Sequence, residues 1–183
     1  MIAAIIIVAV IAVILIWGIS TYNGLVRTRN KADEAESGID AHLKQRYDLI
    51  PNLVETVKGY AKHESQTLEA VIKARNSAMS ATTIEDKDNA NNVLSGTLKS
   101  LFALSESYPD LKANTNFLDL QKQLQSIETD LLNARKYYNA VARSLNDSIM
   151  MFPSSIIASM FHFQKREYVQ IEQEARQRVE VKF

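Results

Sequence analysis

His63-Glu64 is the pair in this chain that most invites a chemical reading. A metalloprotease helix needs a second histidine four residues after the first, so that two imidazoles share one face around a zinc ion. Thr67 stands at that place, and His42 and His162 lie far away in sequence. Gly38, Gly59 and Gly96 are isolated, so there is no glycine-rich phosphate loop, and no Gly-x-Ser-x-Gly nucleophile elbow occurs. The chain has no cysteine, which excludes thiol catalysis, thiolate metal sites, disulfides and a lipid-modified cysteine. Acidic pairs abound, as they do on any helical surface. The sequence therefore offers no catalytic residue, no metal site and no cofactor site, and is read as that of a non-enzyme. The 21 basic and 21 acidic residues balance, so nothing marks a nucleic-acid binder.

What remains is the set of elements that such residues would sit on. Five glycines and three prolines among 183 residues leave little punctuation, which favours long helices. Residues 2–19 carry no charge. At the helical rise such a run spans about 27 Å, close to a hydrocarbon core. Trp17 and Tyr22 stand at its exit end, where amphipathic rings favour the headgroup level. A cleaved signal peptide needs a basic start and a small-residue cleavage site. The start here is Met-Ile-Ala-Ala and the run ends in Trp-Gly-Ile-Ser-Thr-Tyr, so a retained transmembrane anchor is expected. Arg27, Arg29 and Lys31 follow it and nothing basic precedes it, which puts the rest of the chain in the cytoplasm by the positive-inside rule.

From Phe117 the apolar spacing is three, four, three, four: Phe117, Leu120, Leu124, Ile127, Leu131, Ala134, Tyr138, Val141 and Leu145. This heptad seam packs against partner helices, with Gln121, Lys122, Gln125, Glu128, Arg135 and Arg143 facing water. Asn114, Thr115 or Asn116 can cap its start. Leu25, Ala32, Ile39, Leu43 and Tyr47 mark an earlier helix. Ile50, Leu53, Val54, Val57, Tyr60, Ala61, Leu68, Val71 and Ile72 mark another, through about Met79. Val93, Leu94, Leu98, Leu101, Phe102 and Tyr108 mark a third. Residues 82–91 and 107–110 read as connections, with Tyr108 ending its helix before Pro109. Pro51 either starts a helix or kinks one. The expected fold is all-α: an N-terminal transmembrane helix (1–24), an antiparallel up-and-down four-helix bundle (25–149), and an apolar segment with a C-terminal tail (150–183).

Glu36, Arg46, Glu64 and Arg75 fall on the apolar stripes. They are read as snorkelling to the surface, the alternative being internal ion pairs that fix helix register. Residues 152–163 are rich in large apolar side chains and are expected to pack against protein, either across the end of the bundle or on a neighbouring subunit. The alternative is that they lie in the membrane interface. In the tail, Val179, Val181 and Phe183 alternate with Glu180 and Lys182, the period of a half-buried strand pairing with another segment in a neighbouring subunit; the alternative is a frayed polar terminus. Val179, Val181, Phe183, Phe152, Ile156 and Phe161 are accordingly the expected oligomer interface.

These stretches together resemble the LemA family. The resemblance rests on Tyr22-Asn23-Gly24-Leu25-Val26, Arg29-Asn30, the run Arg46-Tyr47-Asp48-Leu49-Ile50-Pro51-Asn52-Leu53-Val54, Val57-Lys58-Gly59-Tyr60-Ala61 and His63-Glu64. It continues in Tyr108-Pro109-Asp110-Leu111-Lys112-Ala113-Asn114, Tyr138-Asn139, Phe152-Pro153 and Val181-Lys182-Phe183. It implies a bacterial protein with an N-terminal anchor, a four-helix antiparallel bundle and no established enzymatic activity. Relatives include a protein used in building magnetosome membranes, which points by analogy to a scaffold. The expected function is a scaffold of the bacterial inner membrane that self-associates into a homo-oligomer and supports membrane organisation. The alternative is a regulatory adaptor docking another membrane protein such as a protease or transporter. The expected partners are the lipid bilayer, further copies of the chain and a possible membrane-protein partner.

Overall fold

The computed structural model describes residues 1–170, and its regular structure there is helical throughout. Helix α1 runs over Ile2–Tyr60, α2 over Ser65–Ser80, α3 over Ile84–Ser105, α4 over Pro109–Lys112, α5 over Thr115–Met150 and α6 over Ser154–Met160. Val179, Val181 and Phe183, for which strand pairing is expected, lie outside the described residues. The helices form two compact units. The first joins Met1–Ser37 to Lys136–Tyr168, and the second is built on Gly38–Arg135.

Apolar spacing continues from the first residues through Val57, and α1 follows it without a break past Pro51. Proline has no N–H, so the carbonyl four residues earlier, that of Tyr47, loses its helical partner. The Arg75 Nε donates to that carbonyl at 2.8 Å. Pro51 thus lies inside one long helix and does not start a new one. The helix expected through about Met79 is in fact two. The chain leaves the helix after Tyr60, turns with the Glu64 amide donating to the Ala61 carbonyl at 3.2 Å, and re-enters at Ser65.

Residues 82–91, expected as a connection, are mostly the first turns of α3. Thr83 Oγ1 accepts from the Asp86 amide at 3.1 Å, and Glu85 and Asp86 lie where the helix dipole favours negative charge. Its Asp88 and Asn91 are buried beside Leu94, Leu98 and Leu101, whereas Val93, placed on the stripe by spacing, is exposed. Tyr108 stands outside the helices, as Pro109 requires, and Pro109 opens α4. Asn114 Oδ1 accepts from the Phe117 amide at 2.9 Å and caps α5.

The second unit's core is Ile50, Leu53, Val57, Val71, Leu94, Leu101, Leu111, Phe117 and Leu131, all at or near complete burial. The first unit's core is Leu25, Ala32, Leu145, Ile157 and Ala158, with Val141, Ile149 and Phe163 against it. On α5 the expected seam is the buried face: Phe117, Leu124, Ile127, Leu131, Tyr138 and Leu145 are buried, and Leu120, Ala134 and Val141 are half-buried.

Candidate functional site

Two arrangements carry the polar and apolar groups that could serve a function. The first is the polar interior of the second unit. Arg46, read from sequence as a surface charge, is buried at 4% exposure. Its guanidinium donates to Ser95 Oγ at 2.8 Å and pairs with Glu128 at 2.9 Å, so α1, α3 and α5 meet on one cation. Arg135, also expected to face water, is buried and pairs with buried Asp88 at 2.8 Å. Removing two charges from water is costly, and only close pairing offsets that cost. The internal-pair reading therefore holds for Arg46. Glu36, Glu64 and Arg75 remain half-buried. A groove of about 430 Å³ beside Arg46 is lined by Ser95, Lys99, Phe102, Gln121 and Glu128 among others.

Tyrosines tie the helices of this unit together. Asn91 Nδ2 donates to the Tyr47 hydroxyl at 2.7 Å. Burial pushes the Tyr47 phenol above its ordinary value of 10.0, against the lowering effect of the Asn91 hydrogen bond. The Tyr108 hydroxyl donates to Glu64 Oε1 at 3.0 Å, and this bond to a carboxylate raises its pKa. Asn114 Nδ2 donates to the Tyr60 hydroxyl at 2.9 Å. Glu64 is therefore a tyrosine partner, while His63 is exposed. Among the described residues no three metal-ligating side chains come together.

The second arrangement lies in the first unit, where the chain returns to the apolar end of α1. Ile157 and Ala158 of α6 are buried against Leu25, Ala32 and Leu145. Phe161 meets Tyr22 with ring centroids 4.6 Å apart and the rings tilted by 53°, and Phe163 lies 5.9 Å from the same ring. The turn that brings Phe163 there is a Schellman motif: the Phe163 amide donates to the Ala158 carbonyl at 2.9 Å and the His162 amide to the Ser159 carbonyl at 3.2 Å. His162 takes the left-handed position at φ 54, usually glycine's. The following irregular segment is strapped down by buried Asn146, which donates to the Arg166 carbonyl and accepts from its amide, both at 2.8 Å. Tyr138 donates to the Glu167 carbonyl at 3.1 Å, and the Arg166 side chain pairs with Asp33. Burial, then the nearby charge of Glu36, raises the Tyr138 pKa. Of the expected interface residues in this region, Phe152, Ile156 and Phe161 are exposed. Sequence reasoning missed Asn146 and Arg135. A polar residue beside a heptad seam was the available signal in both cases.

The LemA family profile matches residues 35–183. The chain belongs to the LemA family. It is also similar to Protein LemA of Metamycoplasma hominis, 27% identical over 141 residues, covering 74% of this chain and 63% of that protein. The chain thus spans less than two thirds of the length of that relative. Several residues that carry the LemA resemblance have structural duties in this fold. Tyr47, Tyr60, Tyr108 and Asn114 join separate elements of the second unit, Glu64 receives Tyr108, and Tyr138 holds the segment after α6.

Proposed function

We propose that this LemA family protein is a scaffold anchored in the bacterial inner membrane, which self-associates into a homo-oligomer and supports membrane organisation without catalysis. The observation that carries the anchoring is the state of the apolar run at the start of α1. Its 18-residue window has a mean hydropathy of 3.2, and none of it is buried by the rest of the chain. An apolar run of which no residue is buried in protein has lipid as its natural surrounding. The same helix runs on from the apolar run as far as Tyr60 without a break.

The soluble part is proposed to close as an antiparallel four-helix bundle on the cytoplasmic side, with Arg27, Arg29 and Lys31 at the membrane exit. Within the second unit Arg46 and Arg135 are ion-paired, and Tyr47 and Tyr60 are hydrogen-bonded to asparagines, which suits a structural role better than a reaction site. Copies confined to one plane meet at high effective concentration, so weak contacts between them suffice for assembly. Alkaline carbonate washing of membranes, followed by mass spectrometry of the retained protein, tests the anchor. The reading expects full-length chain in the membrane pellet with its first peptide attached. A chain beginning near Thr21 or released by carbonate would contradict it.

A further inference from the structure

The chain places a second apolar feature beside the end of its apolar helix. Ile157 Cδ1 lies 3.8 Å from the position a Cβ would take at Gly18, so α6 is seated on the last turn of the uncharged run. Phe161 meets Tyr22 four residues further on. Trp17 and Tyr22 bracket this contact, and rings of their kind settle at the headgroup level of a bilayer. The seated face of α6 is only half of it. The other half, with its flanks, bares Met151, Phe152, Ile156 and Met160, from 50% exposure at Ile156 to 83% at Phe152. Residues 150–163 contain no aspartate, glutamate, lysine or arginine. On α1 charge resumes at Arg27, and Arg29 stands over the Phe163 ring at 5.7 Å. Soluble surfaces rarely bare so many large apolar groups together.

We infer that α6 and its flanks form a membrane-interfacial foot, which inserts Phe152, Ile156 and Met160 into the headgroup and acyl-chain boundary alongside the span. The inference rests on the proposed anchoring, because it is the seat on α1 that sets the depth of α6. Lipid is the occupant that the position favours: α6 is seated at Gly18, on the last turn of the uncharged run of α1, and its bared residues share that run's lack of charge. The foot adds to Trp17 and Tyr22 a further interfacial contact that sets the tilt of the span.

The absence of cysteine in the chain allows single labels. Full-length Met160→Cys and, separately, Ile156→Cys are labelled with an environment-sensitive fluorophore and reconstituted in phosphatidylethanolamine–phosphatidylglycerol vesicles. Val10→Cys reports the span and Lys122→Cys the aqueous domain. Circular dichroism checks that each variant retains its helices. The expected result is a blue-shifted label at Met160 or Ile156, quenched by lipids with a nitroxide high on the acyl chain and severalfold less by iodide than the label at Lys122. Iodide access at Val10 would overturn the anchor and the foot with it. Lipid quenching at Val10 with free iodide access at both α6 positions would overturn the foot alone. So would α6 labels shielded from iodide yet untouched by lipid nitroxides, the result that a second copy or another protein covering this face produces.

Discussion

Arg75 donates from Nε to the Tyr47 carbonyl at 2.8 Å, and that carbonyl is the one left without its helical amide by Pro51. A long helix thus passes through a proline because a side chain from α2 supplies the missing donor. The bond also fixes α2 against α1 at the level of Tyr47, whose hydroxyl reaches Asn91 on α3.

Removal of the donor by Arg75→Ala strands a carbonyl in the packed second unit and costs about 1–3 kcal/mol. In a Pro51→Ala background the amide of residue 51 can restore the helical bond, so the cost of Arg75→Ala falls. Urea unfolding of the four proteins of this cycle measures the difference. An equal cost in both backgrounds would show that Arg75 acts elsewhere.

Asp88 and Arg135 are both buried at their 2.8 Å contact. Asp88→Ala leaves a cation inside the protein and is expected to destabilise by about 3–5 kcal/mol. Replacing both residues with apolar side chains of similar volume recovers most of that loss. The exposed pair Lys44–Asp48, at 2.7 Å, is worth less than about 1 kcal/mol despite its shorter distance. Thermal unfolding of Asp88→Ala, the double variant and Asp48→Ala ranks them, and similar losses for Asp88→Ala and Asp48→Ala would contradict this account.

How much of this was legible in the sequence depends on the range of the interaction. The α5 seam reads directly, because Phe117, Leu124, Leu131, Tyr138 and Leu145 repeat on one face and the repeat is local. Arg46 and Arg135 read as surface charges because their burial is decided by Glu128, Ser95 and Asp88, residues distant along the chain. The break between α1 and α2 is invisible to periodicity, since Ala61 and Leu68 keep the apolar stripe on both sides of it. The start of α3 was missed because its inward residues there, Asp88 and Asn91, are polar, although Thr83 and Asp86 carried a capping signal. The seat of α6 on Gly18 has no local signature at all, because it joins residues far apart along the chain, Gly18 and Ile157.

Alkaline pH should weaken the fold. Burial raises the pKa of Tyr47 and of Tyr138 above the ordinary value of 10.0, so the folded chain keeps phenolic protons that the unfolded chain has released. Their contribution is fully present below the unfolded value and is lost as pH rises through the raised folded values. Urea midpoints measured at increasing pH should hold steady below about 10 and fall above it. Tyr138→Phe should flatten part of that fall. A midpoint that rises above this pH would have the wrong sign for buried phenols.

Anchoring and self-association meet in one quantity, the native mass of the intact chain after extraction in mild detergent. Each chain is 20.6 kDa. Native mass spectrometry of protein extracted from membranes should give a uniform assembly whose mass is a whole multiple of that value, with no second polypeptide. Single chains, or single chains bound to a different membrane protein, would contradict the scaffold reading, and the latter would make the protein an adaptor.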